Sequence, residues 1–178
     1  VTTLMRMSEI IEAGFIKEKI GSVIVLSGPC IANEVVCQKP TSVVVASKAE
    51  AAAKIIQKNF STDTFRIYYS NDVAGVELGG ALKNVMAIAC GICDGLGLGA
   101  NARGSLITRG MAEITRLGVK MGAAAQTFSG LSGVGDLVTT ATSLHSRNHY
   151  LGEAIGQGKN LSEILKSMTM VAEGVNTT

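Results

Sequence analysis

The chain has 178 residues, 16 of them Lys or Arg against 14 Asp or Glu, for a formal net charge of +2. With 47% hydrophobic residues and a mean hydropathy of +0.33, it has material for a sizeable core and the length of one domain or parts of two. No basic block stands out, aromatics make up only 4% and Trp is absent, which argues against a nucleic-acid partner and a base-stacking platform. Lys83 interrupts the best apolar run, so no membrane span is expected. No signal-peptide pattern is present, which makes a reducing cytoplasm the expected compartment. The chain opens at Val1 without Met and stops on Asn-Thr-Thr, so an internal piece of a longer polypeptide is expected.

The first nineteen residues carry Leu4, Met7, Ile10, Ile11 and Phe15 at near-helical spacing, ending near Gly14. Ser22–Gly28 (SVIVLSG) is a continuous β-branched run and predicts a buried strand, broken by Gly28-Pro29. A helical turn over Ile31–Cys37, a second buried strand over Thr41–Ser47, an alanine-rich helix over Lys48–Asn59 and an alternating strand over Phe65–Ser70 follow. Gly21 to Ser70 thus has the β-α-β rhythm of an open α/β sheet. After Ser70 the strand signal stops. Asp72 is a candidate N-cap for one long helix over Val73–Cys93. A glycine-rich linker (Asp94–Gly99), a helix over Ser105–Met121, a loop over Thr127–Gly135, a segment starting at Asp136, a helix capped by Ser146 and running through Ile155, and a short helix over Leu161–Met168 complete the reading. The boundary near Ser70 divides residues 1–70, the end of an α/β domain, from residues 71–178, a helical domain.

Lys83 is the most informative residue. From Leu78 to Cys93 it is the only ionisable side chain apart from cysteine, and an ammonium is costly to bury unless something uses it. Gly79, Gly80 and Ala87 lie one turn away and allow a backbone or a ligand to approach. A desolvated lysine has its pKa lowered towards neutrality and can act as general acid or base; the plainer alternative is a lysine that snorkels to solvent. Asp136, after the glycine run of Gly130–Gly135, reads as an N-cap, as a partner for Lys83, or as both. Ser146-Arg147-Asn148 stands where a helix begins, with free N–H groups and a guanidinium suited to phosphate; a capped helix with a surface arginine is the plainer alternative. Cys90-Gly-Ile-Cys93 with His145 and His149 invites a zinc or redox reading, but the gap between the pairs is too long for a finger and the cysteines fall within an apolar helix, so core packing is expected and no metal. Gly95-Leu-Gly-Leu-Gly99 follows a helix rather than a strand and reads as a turn, not a dinucleotide loop.

Taken together, LSGPCIANEV (Leu26–Val35), PTSVVVAS (Pro40–Ser47), the long run Ser70–Gly110 with GALKN, TFSGLSGVGDLV (Thr127–Val138), SRN (Ser146–Asn148) and VAEGVNT (Val171–Thr177) resemble the bacterial type of NAD(P)-dependent glycerol-3-phosphate dehydrogenase. The resemblance implies an α/β fold: the C-terminal part of a Rossmann-type domain, then an all-α, 6-phosphogluconate-dehydrogenase-like helical domain incomplete at its C-terminus. It implies reduction of dihydroxyacetone phosphate to sn-glycerol 3-phosphate for phospholipid synthesis, with NAD or NADP as cofactor, and leaves a homodimer open. Lys83 matches the catalytic lysine. Gly28, Cys30, Lys83, Asp136, Ser146, Arg147 and Asn148 match substrate-binding positions; Ala32, Arg147, Val171 and Glu173 match cofactor-binding ones; Asn84 and Thr140 match a second tier.

Two departures accompany the resemblance. The family pattern reads S-G-P-[ST], and here Cys30 replaces the hydroxyl with a weaker hydrogen-bonding thiol. The glycine-rich phosphate loop and an upstream lysine used near the substrate are not in this sequence, so this piece alone is expected to bind NAD(P) poorly. The competing readings are a hydroxy-acid dehydrogenase of the same superfamily and a non-catalytic helical dimerisation module.

Overall fold

The computed structural model describes residues 5–15, 21–143, 145–168 and 172–177. In chain order the elements are α1 (Met7–Gly14), β1 (Val25–Ser27), α2 (Ala32–Val36), β2 (Thr41–Ala46), α3 (Glu50–Phe60), β3 (Phe65–Ser70), α4 (Val73–Gly95), α5 (Gly99–Lys120), α6 (Asp136–Thr142), α7 (Arg147–Gly156), α8 (Leu161–Ser167) and α9 (Gly174–Thr177). A 3-10 turn over Ala125–Ser129 and a π turn over Leu131–Gly135 join α5 to α6.

The strands form one sheet in the order β1-β2-β3. β2 and β3 run parallel, from Thr41 opposite Phe65 to Ala46 opposite Ser70, because α3 is long enough to carry the chain back across the sheet. β1 runs antiparallel to β2, with Val25 opposite Ala46; the five-residue α2 is too short for a crossover, so the β-α-β rhythm holds only for β2-α3-β3. β1 is also shorter than expected, three residues rather than seven. Val43 and Val45 of β2, Ala53 of α3 and Ile67 of β3 make the core of this half.

The other half is built on α4. Asp72 caps it, one carboxylate oxygen accepting the Gly75 N–H at 2.9 Å while the other accepts from Thr127 Oγ1 and the Ala124 N–H, so one side chain fixes both the start of α4 and the turn after α5. Along its length α4 supplies Leu78 to a cluster with Ile114 and Phe128, Cys90 to one with Leu137 and Ala141, and Ile88 to one with Leu151 and Ile164. Full burial of a side chain such as Leu137 or Leu151 contributes about 2 kcal/mol. By length and composition α4 could cross a membrane, since its three charges, Glu77, Lys83 and Asp94, lower its mean hydropathy little; here it is the spine on which α5, α6 and α7 pack.

Glycines set how close α7 comes. A Cβ on Gly91 or Gly95 would collide with the carbonyls of His149 or Glu153, and one on Gly152 or Gly156 with those of Ile88 or Ile92. Two glycines four residues apart on each helix therefore let the backbones touch. Further boundaries differ from the sequence reading, and α4 itself runs to Gly95, past the expected Cys93. α5 begins at Gly99 instead of Ser105, because the positive φ angles of Gly97 and Gly99 complete the turn at once and Ala100–Arg103 already favours helix. The expected loop Thr127–Gly135 is wound into its 3-10 and π turns. The first helix is observed over Met7–Gly14; the rest of its expected range lies partly outside the described residues. Its start is tied to α4 by Glu77, whose carboxylate accepts from the Ser8 N–H at 2.8 Å, Ser8 Oγ at 2.6 Å and Arg6 Nε at 3.2 Å.

Candidate active site

The glycines beside Lys83 decide what reaches it. A Cβ on Gly79 would strike the carbonyl of Ser132, and one on Gly80 would crowd Ser27 Oγ. With hydrogen there instead, the π turn lies directly on α4 and leads into α6, whose first residue is Asp136. Its carboxylate accepts from Lys83 Nζ at 2.5 Å. The Asp136 side chain is 4% exposed and that of Lys83 20%. Asp136 is thus not a cap in the structure: Gly135 occupies the cap position and the carboxylate turns towards the lysine. Thr140 Oγ1 donates to the Asp136 carbonyl at 2.7 Å and lies 3.4 Å from its carboxylate.

Gly28 supplies a further backbone hydrogen bond to Asp136. Its φ of +136° is a conformation side chains rarely adopt, and it bends the chain leaving β1 over the Lys83–Asp136 pair. Burial pushes the Asp136 carboxyl up; the charge and hydrogen bond of Lys83, then Thr140 and Gly28, pull it back, and the balance stays above the usual carboxylate range. Cys30 lies within the field of the same pair. Its thiol is raised first by burial and then by Asp136, against the opposing pull of Lys83.

The second group of residues stands at the start of α7. Ser146 caps the helix, its Oγ accepting the His149 N–H at 3.2 Å. Arg147 contacts Glu173 Oε1 at 2.6 Å, and these side chains are 37% and 51% exposed. Asn148 is buried, and its Oδ1 accepts the Gly174 N–H at 2.9 Å. Arg147 and Asn148 therefore hold the segment that carries Glu173. A cleft of about 380 Å³ opens between the groups, lined by Gly80, Lys83, Asn84, Thr140, His145, Ser146, Arg147, Asn148 and Glu173. Three larger hollows, of about 510, 540 and 500 Å³, lie elsewhere, and none of them is lined by Lys83, Asp136 or Arg147.

The structure thus gathers Lys83, Asp136, Ser146, Arg147, Asn148 and Glu173 around one cleft, with Asn84 and Thr140, and brings Gly28 and Cys30 to the same lysine. Ala32 stands exposed at the first position of α2 and does not line the cleft. Val171 lies outside the described residues. Cys90 and Cys93 behave as packing groups, both buried: Cys90 lies among Leu137 and Ala141, and burial, then Asp94, pushes its thiol up to about 11, where little thiolate forms near neutral pH. His149 is engaged by Asp94.

Three residues went unnoticed in the sequence: Glu77, Asp94 and Arg103. Asp94 carried a usable signal. A carboxylate in the last turn of a helix opposes the helix dipole and calls for hydrogen-bond donors, which the Arg103 guanidinium and the His149 ring provide.

Residues 72–178 match the family model described as NAD-dependent glycerol-3-phosphate dehydrogenase C-terminus, and residues 1–53 match its N-terminus counterpart. The chain belongs to the NAD-dependent glycerol-3-phosphate dehydrogenase family. It is 56% identical over 178 residues to the glycerol-3-phosphate dehydrogenase [NAD(P)+] of Citrifermentans bemidjiense, covering 100% of this chain and 53% of that protein. It is 54% identical over 176 residues to the enzyme of the same description from Staphylococcus epidermidis, covering 99% and 53%. The crystal structure of glycerol-3-phosphate dehydrogenase from Coxiella burnetii superposes with a TM-score of 0.89 at 40% identity, covering 94% of this chain and 51% of that one. The chain spans about half the length of the relatives it matches. The family and the Rossmann-type-plus-helical fold class expected from the motifs both hold.

Proposed function

We propose that this chain carries the substrate half of an NAD(P)-dependent glycerol-3-phosphate dehydrogenase, which reduces dihydroxyacetone phosphate to sn-glycerol 3-phosphate in the cytoplasm. Residues 1–70 are the end of the dinucleotide-binding domain and residues 71–178 the helical, substrate-binding domain. The observation that carries this reading is the cleft with a lysine–carboxylate pair at one end and an exposed guanidinium at the other. Such a site fits a small carbonyl compound with a phosphate a few bonds from the reacting carbon.

Lys83 holds the carbonyl oxygen and donates the Nζ proton to it, or takes the proton back in the reverse direction. Asp136 fixes the ammonium by its 2.5 Å hydrogen bond and supports its charged form between turnovers. Arg147, with Ser146 and Asn148 at the first turn of α7, receives the phosphate where free N–H groups and the helix dipole favour an anion. The Gly28–Cys30 bend closes the site beside Asp136, with a thiol in place of a hydroxyl. Arg147 and Glu173, one cationic and one hydrogen-bond accepting at the open edge of the cleft, fit the charged and hydroxyl-bearing parts of a dinucleotide. Bound NAD(P)H supplies the hydride for the carbonyl carbon.

The test is substrate discrimination by the full-length enzyme, followed through NAD(P)H oxidation. Dihydroxyacetone phosphate should be preferred over unphosphorylated dihydroxyacetone by about a hundredfold or more in kcat/KM, the effect of leaving a phosphate site empty. Equal turnover of the two, or faster turnover of a 2-hydroxy acid in the oxidative direction, would overturn the assignment.

A further inference from the structure

Behind the cleft, on the far side of Arg147 and Asn148, lies a second ionic cluster with no part in the chemistry above. Asp94, in the last turn of α4, accepts from Arg103 Nη1 on both oxygens, at 2.9 and 2.8 Å. His149 Nε2 lies 2.8 Å from Asp94 Oδ2. An ionised carboxylate can only accept, so Nε2 carries the proton and donates. Three helices, α4, α5 and α7, meet in one carboxylate. All three partners are at least partly buried.

We propose that His149, held by Asp94 and Arg103, is a positioning residue that fixes the first turn of α7 and thereby places Arg147 and Asn148 for the substrate phosphate. This rests on the dehydrogenase reading given above. His149 is fixed at both ends: its backbone N–H by the Ser146 cap and its ring by Asp94. It directly follows Asn148 in the same turn, so a rotation of α7 about its axis would move all three residues together. The glycine contacts let the α4 and α7 backbones touch, but small residues set a distance and leave the helix free to turn. A directional hydrogen bond from the ring into a doubly held carboxylate supplies the missing angular restraint. Because the residues it places bind the phosphate and not the reacting carbonyl, loss of the restraint weakens substrate binding in ground and transition states alike.

The experiment compares two variants of the full-length enzyme with dihydroxyacetone phosphate as substrate. His149→Phe fills the ring's volume without a donor; His149→Gln keeps an amide N–H near the position of Nε2. For His149→Phe, KM for dihydroxyacetone phosphate should rise about tenfold with kcat within about threefold of wild type, the effect of a lost charge-assisted hydrogen bond acting on binding alone. For His149→Gln, KM should return to within about threefold of wild type, since the bond to Asp94 is retained. An unchanged KM in the Phe variant, or equal KM values in both variants, overturns the proposal. If the Phe variant does not fold, Arg103→Met, at the more exposed partner, loosens Asp94 and should raise KM about threefold with kcat unchanged; no rise overturns the proposal. A wild-type enzyme inactive on dihydroxyacetone phosphate would instead defeat the substrate assignment, a result distinct from an unchanged KM in an active His149→Phe variant.

Discussion

Two carboxylates are held against α4, and their surroundings shift them in opposite directions. Asp94, at the end of the helix, is pushed up by burial, but hydrogen bonds from His149 and Arg103 and the charges of both hold it below the usual carboxylate range. Asp136, against the middle of the helix, has Lys83 as its one cationic partner among the described residues and is more deeply buried; there burial wins and the carboxyl ends above that range. Two hydrogen-bond donors, one of them a guanidinium, make a tie that stays ionised, which suits a residue that holds helices together. One partner in a drier place makes a pair whose proton is more easily moved, which suits a site that hands a proton to substrate.

Removing each carboxylate should separate the two roles most sharply. Asp136→Ala leaves the Lys83 ammonium partly buried and unpaired, and kcat in the full-length enzyme should fall by about a hundredfold or more as the general acid loses its setting. Asp94→Ala should cost about 3 kcal/mol of stability, since it strands Arg103 and His149, while kcat falls far less; equal losses of kcat in the two variants would erase the distinction. Next in size is Arg147→Ala. Steady-state kinetics should show KM for dihydroxyacetone phosphate raised about tenfold or more, because a charged hydrogen bond to phosphate is lost, and an unchanged KM would remove Arg147 from phosphate binding.

The smallest effects are in pH dependence, and their signs are opposite. Asp94 has its carboxyl lowered on folding, so its stabilisation is present above the ordinary carboxylate range and is lost as pH falls through its lowered value. Asp136 has its carboxyl raised, so its contribution is present below the ordinary range and is lost as pH rises through its raised value. Between acid and neutral pH, the Tm difference between wild type and Asp94→Asn should therefore grow with pH, and that between wild type and Asp136→Asn should shrink. Thermal unfolding of the three proteins across that range gives the slopes directly.

The legibility of the chain follows the same division between local and distant causes. Asp72, α4 and the Ser146 cap could be read in the sequence because an N-cap and an apolar run are local signals. Lys83 could be read because a lone charge among glycines is locally anomalous, and the glycines admitted a backbone as expected. Asp136 was identified but its role stayed open: whether it capped a helix or met Lys83 depended on how a π turn stacks on Gly79, which no periodicity encodes. The antiparallel pairing of β1 was hidden because a β-branched run does not state its direction. Asp94, Arg103 and His149 were hidden because the histidine and the carboxylate lie 55 residues apart, and the nearby C-x-x-C pattern drew the histidine into a metal reading instead.

The central claim is that Lys83 moves the proton at the substrate carbonyl. It is tested most directly by replacing Lys83 with Met in the full-length enzyme and measuring kcat for dihydroxyacetone phosphate reduction at saturating cofactor. Loss of a positioned general acid should lower kcat by about a thousandfold, with Tm lowered because the buried Asp136 carboxylate loses its ammonium partner. A variant that keeps near-wild-type kcat would contradict the account.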